Sequence, residues 1–172
     1  MNELFYTEMD SPIGKLTLVG SEDTIFSLNY GSYTANKEYL LKWCIQHQFS
    51  PVIHYDRNIL KEVQIQLTEY FQGLRSQFSI KYKLFGTEFQ KKVWNALTQV
   101  PYGETYSYKQ IAETIGSPKA VRAVGGANNK NPLSIVIPCH RVIGIDGKLV
   151  GYGGGLEKKT YLLDLEKGKG QV

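Results

Sequence analysis

The run Ile135-Val136-Ile137-Pro138-Cys139-His140-Arg141-Val142 sets a cysteine beside a histidine where an apolar segment meets a proline. The pattern predicts a short buried strand, stopped by Pro138, that brings Cys139 to its end. The thiolate is the nucleophilic form of cysteine, and a basic neighbour raises its population near neutral pH. Only two cysteines occur in 172 residues, so one placed there points to chemistry. The plainer reading is a half-buried free cysteine; the flanking residues are what outweigh it. Cys44, within the apolar helical stretch Leu40-Leu41-Lys42-Trp43-Cys44-Ile45, is read as core. No C-x-x-C spacing occurs and His47 and His54 lack partners at ligand spacing, which argues against a zinc site or a disulfide framework. No metal and no cofactor are expected, and a reducing, cytoplasmic setting fits best.

The elements around this run are legible from caps and periodicity. Thr87-Glu88-Phe89-Gln90 and Ser107-Tyr108-Lys109-Gln110 each match a capping box. The first opens a helix whose Phe89, Val93, Ala96, Leu97 and Val100 recur at helical spacing. The second opens a short helix running through Ile115 and stopped by Gly116. Ser117-Pro118 then predicts a third helix, proline at its first position, reaching Asn129. Two short helices across a glycine-containing turn make a helix-turn-helix.

That third helix is poor in side chains able to read base edges in a major groove. It carries Ala120, Ala123, Gly125, Gly126 and Ala127, with Arg122 its one long cation in the middle. Small residues suit close, shape-based approach to a minor groove; they equally suit tight packing on a neighbouring helix. Beside a nucleophile, the DNA reading implies chemistry on a base, and a base in a duplex must first be rotated out. Arg122 would then fill the gap in the stack and Tyr108 would press on the sugar–phosphate backbone. Gly151-Tyr152-Gly153-Gly154-Gly155 would wrap the pocket, with a stacking face on Tyr152 and bare N–H groups on Gly153 and Gly154; a plain connection to the last helix is the alternative.

Charge agrees. Residues 1–80 hold six basic and nine acidic residues, whereas 81–172 hold fourteen and seven. The half containing Cys139 is the one suited to a polyanion. Hydrophobic content of 42% and charged content of 21% describe an ordinary globule. There is no apolar run of membrane-spanning length and no charged-then-apolar leader at the N-terminus. The first half predicts strands at Lys15–Gly20 and Thr24–Tyr30 and helices near Lys37–Gln48 and Asn58–Phe71. Two domains are expected: an α/β N-terminal domain over residues 1–80, a link over 81–86, and a mostly α C-terminal domain with the helix-turn-helix over 87–172.

Taken together, Pro138-Cys139-His140-Arg141-Val142, Arg122-Ala123-Val124-Gly125-Gly126-Ala127, Asn131-Pro132, Gly151-Tyr152 with Gly154-Gly155-Leu156, and Leu162-Leu163 with Glu166 resemble the O6-alkylguanine-DNA alkyltransferase family. The resemblance spans about Phe85 to Glu166. It implies a ribonuclease-H-like N-terminal domain and a winged-helix-like C-terminal one. It also implies that Cys139 accepts the alkyl group, that His140 deprotonates it through a bridging water, and that Glu166 orients His140. Asn131 becomes the hinge residue, Arg122 the intercalating finger, Tyr108 the residue that rotates the nucleotide and Tyr152 a pocket wall, with Ala123 and Gly125 against DNA. The implied partner is double-stranded DNA carrying alkylated bases, O6-alkylguanine foremost. No membrane and no obligate protein partner are implied, and a monomer is expected. Two positions depart: Gly153 stands where several relatives carry serine, and Asn128-Asn129-Lys130 replaces a more apolar stretch of some members, altering helix-to-hinge packing.

The product of such a transfer is a thioether, which has no carbonyl for water to attack, so each molecule acts once. A cysteine hydrolase would turn over repeatedly and need no Ala/Gly-rich DNA helix. A helix-turn-helix regulator would show strong sequence preference, and a non-catalytic lesion binder would lack Cys139.

Overall fold

The computed structural model describes residues 2–168 and separates into two compact units, residues 1–85 and 86–172. In the first, β1 (Leu4–Met9), β2 (Leu16–Ser21) and β3 (Thr24–Tyr30) form an antiparallel meander. After it come α1 (Tyr33–Gln46), β4 (Ile53–Tyr55), α2 (Lys61–Phe71) and β5 (Lys81–Tyr82). The sheet order is β4-β1-β2-β3-β5, with both short edge strands parallel to their neighbours. Leu4, Val19, Phe26, Leu40, Trp43, Cys44 and Ile53 form the core, so Cys44 is a packing residue, fully buried.

Three boundaries differ from the sequence expectation, one of them the start of α2, which falls at Lys61 rather than Asn58. Helix α1 begins four residues early, because Ser32 caps it by accepting from the Ala35 N–H at 3.1 Å. Residues 81–85 belong to the first unit rather than forming a link. Lys81–Tyr82 adds to the sheet edge, and Phe85 packs edge-on against Phe26, Trp43 and Phe49.

The second unit holds α3 (Glu88–Leu97), β6 (Tyr106–Ser107), α4 (Tyr108–Thr114), α5 (Val121–Asn129), β7 (Val142–Ile143) and α6 (Leu156–Glu166). Both capping boxes are formed, at Thr87/Gln90 and Ser107/Gln110. Helices α4 and α5 make the helix-turn-helix. Gly116 ends the first with φ of 75°, a left-handed conformation that glycine adopts without a Cβ clash. Helix α5 starts at Val121, three residues later than Ser117-Pro118 suggested. Those two residues open a turn closed by Ala120 N–H to Ser117 O at 2.9 Å, for which Pro118 at the second position is equally well suited.

The buried strand expected before Pro138, over Ile135–Ile137, is instead part of a folded loop. Asn131 closes it, accepting from the Leu133 N–H at 3.0 Å and donating Nδ2 to Ile137 O at 2.8 Å. Ile135 takes a left-handed φ of 74°, uncommon for a β-branched residue, while fully buried. Pro138 centres a tight turn, Cys139 N–H to Ile137 O at 2.8 Å, and Cys139–Arg141 then form one 3-10 turn. Apolar content gave burial correctly but could not separate a strand from a packed loop.

Parallel pairing of β6 with β7 sets the start of α4 beside the segment that leaves Cys139–Arg141. Trp94 of α3 is buried and donates Nε1 to Ala127 O of α5 at 2.8 Å, which fixes the second helix of the motif on the core. Trp94→Phe keeps the six-membered ring but removes the donor and the second ring, so we expect a loss of about 2–4 kcal/mol in urea unfolding. An unchanged midpoint would show that ring packing alone holds α5.

Candidate active site

The 3-10 turn decides how the Cys139-His140-Arg141 run presents itself. With three residues per turn, successive side chains diverge by about 120°. His140 and Arg141 reach Glu166, near the end of α6. His140 Nε2 lies 2.7 Å from Glu166 Oε1, and Arg141 donates Nε to Oε2 and Nη2 to Oε1, both at 2.9 Å. Arg141 Nη1 also donates to Val100 O at 2.7 Å, and the Gly103 N–H donates to Glu166 Oε2 at 3.2 Å. Burial alone would raise the Glu166 pKa, but the bonds and charges of His140 and Arg141 overcome it and bring the carboxyl down to about 2.

His140 is fully buried, and burial holds its pKa below the ordinary value despite the Glu166 carboxylate. The ring is therefore neutral near pH 7. Because its partner through Nε2 is an ionised carboxylate, the proton sits on Nε2 and Nδ1 is left as an acceptor. Among the described residues no protein atom bonds that Nδ1. The pair is a base with its orientation fixed and its lone pair available.

Cys139 is 3% exposed. Burial pushes its thiol up, opposed by hydrogen bonds from Asn131, Ser134 and Tyr152 and by the charge of Lys159. The resting sulfur is accordingly a thiol whose local donors favour the thiolate without securing it. Lys159 is fully buried, donating Nζ to Val142 O at 2.5 Å and to Val150 O at 3.3 Å, and burial holds its pKa below the ordinary value.

The structure thus gathers Cys139, His140, Glu166, Asn131 and Tyr152. Tyr108, first residue of α4, is half-buried and donates its hydroxyl to Val150 O at 2.9 Å. Gly125 of α5 faces the Tyr108 ring, where an added Cβ would sit 4.0 Å away. Arg122 and Ala123 lie on the exposed side of α5, while Val124, Ala127 and Asn128 form its buried side. Gly153 rests near Asn129 O, 3.6 Å from where its Cβ would be.

Sequence reading missed four contributors. Lys159 precedes Leu162, Leu163 and Glu166 by three, four and seven residues, the spacing of one helix face, which marked it as inward. Arg141 was noted in the motif but given no role, Asn128 was noted only as part of a departing stretch, and nothing in the pattern singled out Ser134. Among the described residues no cluster of three or more His, Cys, Asp or Glu is arranged to hold a metal ion, and no helix is long and apolar enough to cross a membrane.

Comparison with known proteins bears directly on this geometry. Residues 4–84 match the ribonuclease-like domain of 6-O-methylguanine DNA methyltransferase, and residues 88–168 match its DNA binding domain. A methylated-DNA–protein-cysteine methyltransferase of Methanosarcina acetivorans is 45% identical over 95% of this chain and 98% of its own. The chain belongs to the methylated-DNA–protein-cysteine methyltransferase family. A relative of the same description from Mycobacterium leprae is 46% identical over 92% of this chain and 90% of its own. Mycobacterium tuberculosis OGT, solved in complex with DNA, superposes with a TM-score of 0.82 at 43% identity, covering 95% of this chain and 93% of that one. The α/β first unit and the mostly helical second unit are those of the family.

The Glu166 carboxyl titrates at about 2 in place of its ordinary 4.5. Its folded-state pKa is depressed, so the stability it contributes is complete above about pH 4.5 and lost as pH falls toward 2. Across that window, urea unfolding should show wild type losing about 3 kcal/mol more than Glu166→Gln. Parallel acid slopes for the two proteins would contradict the assignment.

Proposed function

We propose that this protein repairs DNA by moving an alkyl group, in one irreversible step, from O6 of guanine to Cys139 Sγ. The observation that carries the reading is the neutral, Glu166-anchored His140 with an available Nδ1 beside a buried thiol. The proton leaves Sγ through a bridging water for His140 Nδ1, and the imidazolium formed is stabilised by Glu166. The thiolate attacks the alkyl carbon in line; the C–S bond forms as the carbon–O6 bond breaks, and the electron pair stays on guanine. Hydrogen-bond donors around the pocket, Tyr152 and the glycine N–H groups beside it, would meet the charge that develops on the base. Lys159 adds a fixed positive charge that favours the thiolate. Asn131 holds the loop that presents Cys139, a positioning role consistent with its place between α5 and Pro138.

On this reading the substrate is duplex DNA, bound at the minor groove through α5. The exposed Arg122, small neighbours Ala123 and Gly126, and the basic excess of this half all favour it. The lesion base leaves the stack to reach a sulfur that is buried, with Arg122 filling the gap and Tyr108 acting on the flanking backbone. O4-alkylthymine is a chemically similar second substrate. The relatives' names, which state a methyl acceptor cysteine, support the same assignment.

Incubated with O6-methylguanine duplex, the protein should gain one methyl group per molecule, and peptide mass mapping should find it on the Cys139 peptide. Cys139→Ser should still bind the lesion yet leave it unrepaired. An unmodified Cys139 peptide from folded protein, or a methyl count rising beyond one, would sink the reading. Arg122→Ala should slow transfer from duplex by tenfold or more while leaving reaction with the free base near wild type. Equal losses on both substrates would remove the finger role.

A further inference from the structure

Two buried side-chain atoms in the described residues lack a protein hydrogen-bond partner: His140 Nδ1 and Asn128 Oδ1. They belong to one neighbourhood. Asn128, on the inward side of α5 and 2% exposed, directs Nδ2 to the backbone carbonyl of Cys139 at 3.4 Å. That contact fixes the sense of the amide, since the flipped form would set two carbonyl oxygens against each other. Oδ1 is thereby left as an unpartnered acceptor on a side chain that touches the residue next to His140. Buried polar atoms of this kind are ordinarily satisfied by an ordered water with about three partners.

We propose that Asn128 is a positioning residue that holds, through Oδ1, the water linking Cys139 to His140. The proposal rests on the reaction assigned to Cys139 above. Its merit lies in the count of hydrogens. Before transfer, the Cys139 S–H donates to the water, which donates one hydrogen to His140 Nδ1 and the other to Asn128 Oδ1. The S–H bond then breaks, the water takes that proton and passes one of its own to Nδ1. The water now accepts from Nδ1–H and donates to the thiolate, while its bond to Asn128 is unchanged. A third, fixed acceptor keeps the relay aligned in both states. Without it one hydrogen of a buried water is unsatisfied, or the water turns away from the base.

The charged and titratable groups facing this relay are Arg141 on the same turn, Glu166 and Lys159 of α6, Tyr102, Tyr108 of α4 and Tyr152. None of them is altered by exchanging Asn128. The test compares wild type, Asn128→Leu and Asn128→Asp in single-turnover transfer from O6-methylguanine duplex, from about pH 6.5 to about 9.5. Leucine has the branched shape of asparagine, though with more bulk, and no acceptor. A buried aspartic acid, held neutral, keeps one oxygen to accept and one hydroxyl for Cys139 O. Asn128→Leu should be about tenfold slow near neutral pH, with the deficit shrinking as hydroxide removes the thiol proton directly, and with lesion affinity unchanged. Asn128→Asp should stay within about threefold of wild type with the same profile. A leucine deficit constant across pH, or no deficit, overturns the proposal. So does an aspartate variant as slow as the leucine one, and the aspartate comparison decides if the leucine variant does not fold. Wild-type transfer to Cys139 in the same assay separates this failure from failure of the underlying reaction.

Discussion

The carboxylate of Glu166 is the point on which the second unit turns. Five protein groups converge on its two oxygens or on the guanidinium that pairs with them: His140 Nε2, both Arg141 nitrogens, the Gly103 N–H, and Val100 O beyond. A buried carboxylate is costly unless its charge and lone pairs are met, and here Arg141 neutralises the charge while the remaining donors fill the lone pairs. The outcome is mechanical as well as electrostatic. The end of α6, the turn after α3 and the 3-10 turn are tied at one place, and the imidazole is held in a single orientation with one proton location.

The sulfur is treated differently. Burial disfavours its anion, and the donors from Asn131, Ser134 and Tyr152 offset this only in part. A thiol kept protonated at rest is protected from indiscriminate alkylation and oxidation, which follow thiolate character and exposure. For a protein that reacts once, premature loss of its nucleophile is final.

Much of this was legible in the sequence, and the limits are instructive. Thr87/Gln90 and Ser107/Gln110 announced their helices because capping is local chemistry, and the inward stripe from Val93 to Val100 followed from period alone. Edge strands β4 and β5, of three and two residues, were invisible because their pairing is decided by distant partners. Ile135 and Ile137 kept their burial and lost their strand, since Asn131 and Pro138 together shape the backbone. Pro118 served a turn where a helix start was expected; the residue suits both. Cys139 stood out by its own run and His140 and Glu166 took their roles from the family resemblance, whereas the contacts of Lys159 and Asn128 become visible only once α5 and α6 are packed against the same turn.

The hydroxyl of Tyr108 carries a single hydrogen, and it is engaged by the carbonyl of Val150. The same carbonyl is gripped from beneath by Lys159. A phosphate oxygen taking that hydrogen, as the proposed role of Tyr108 would have it, would leave Val150 held by Lys159 alone. On the proposed reading, contact of that phenol with nucleic acid would thus cost the segment before Tyr152 one of the two donors that seat it.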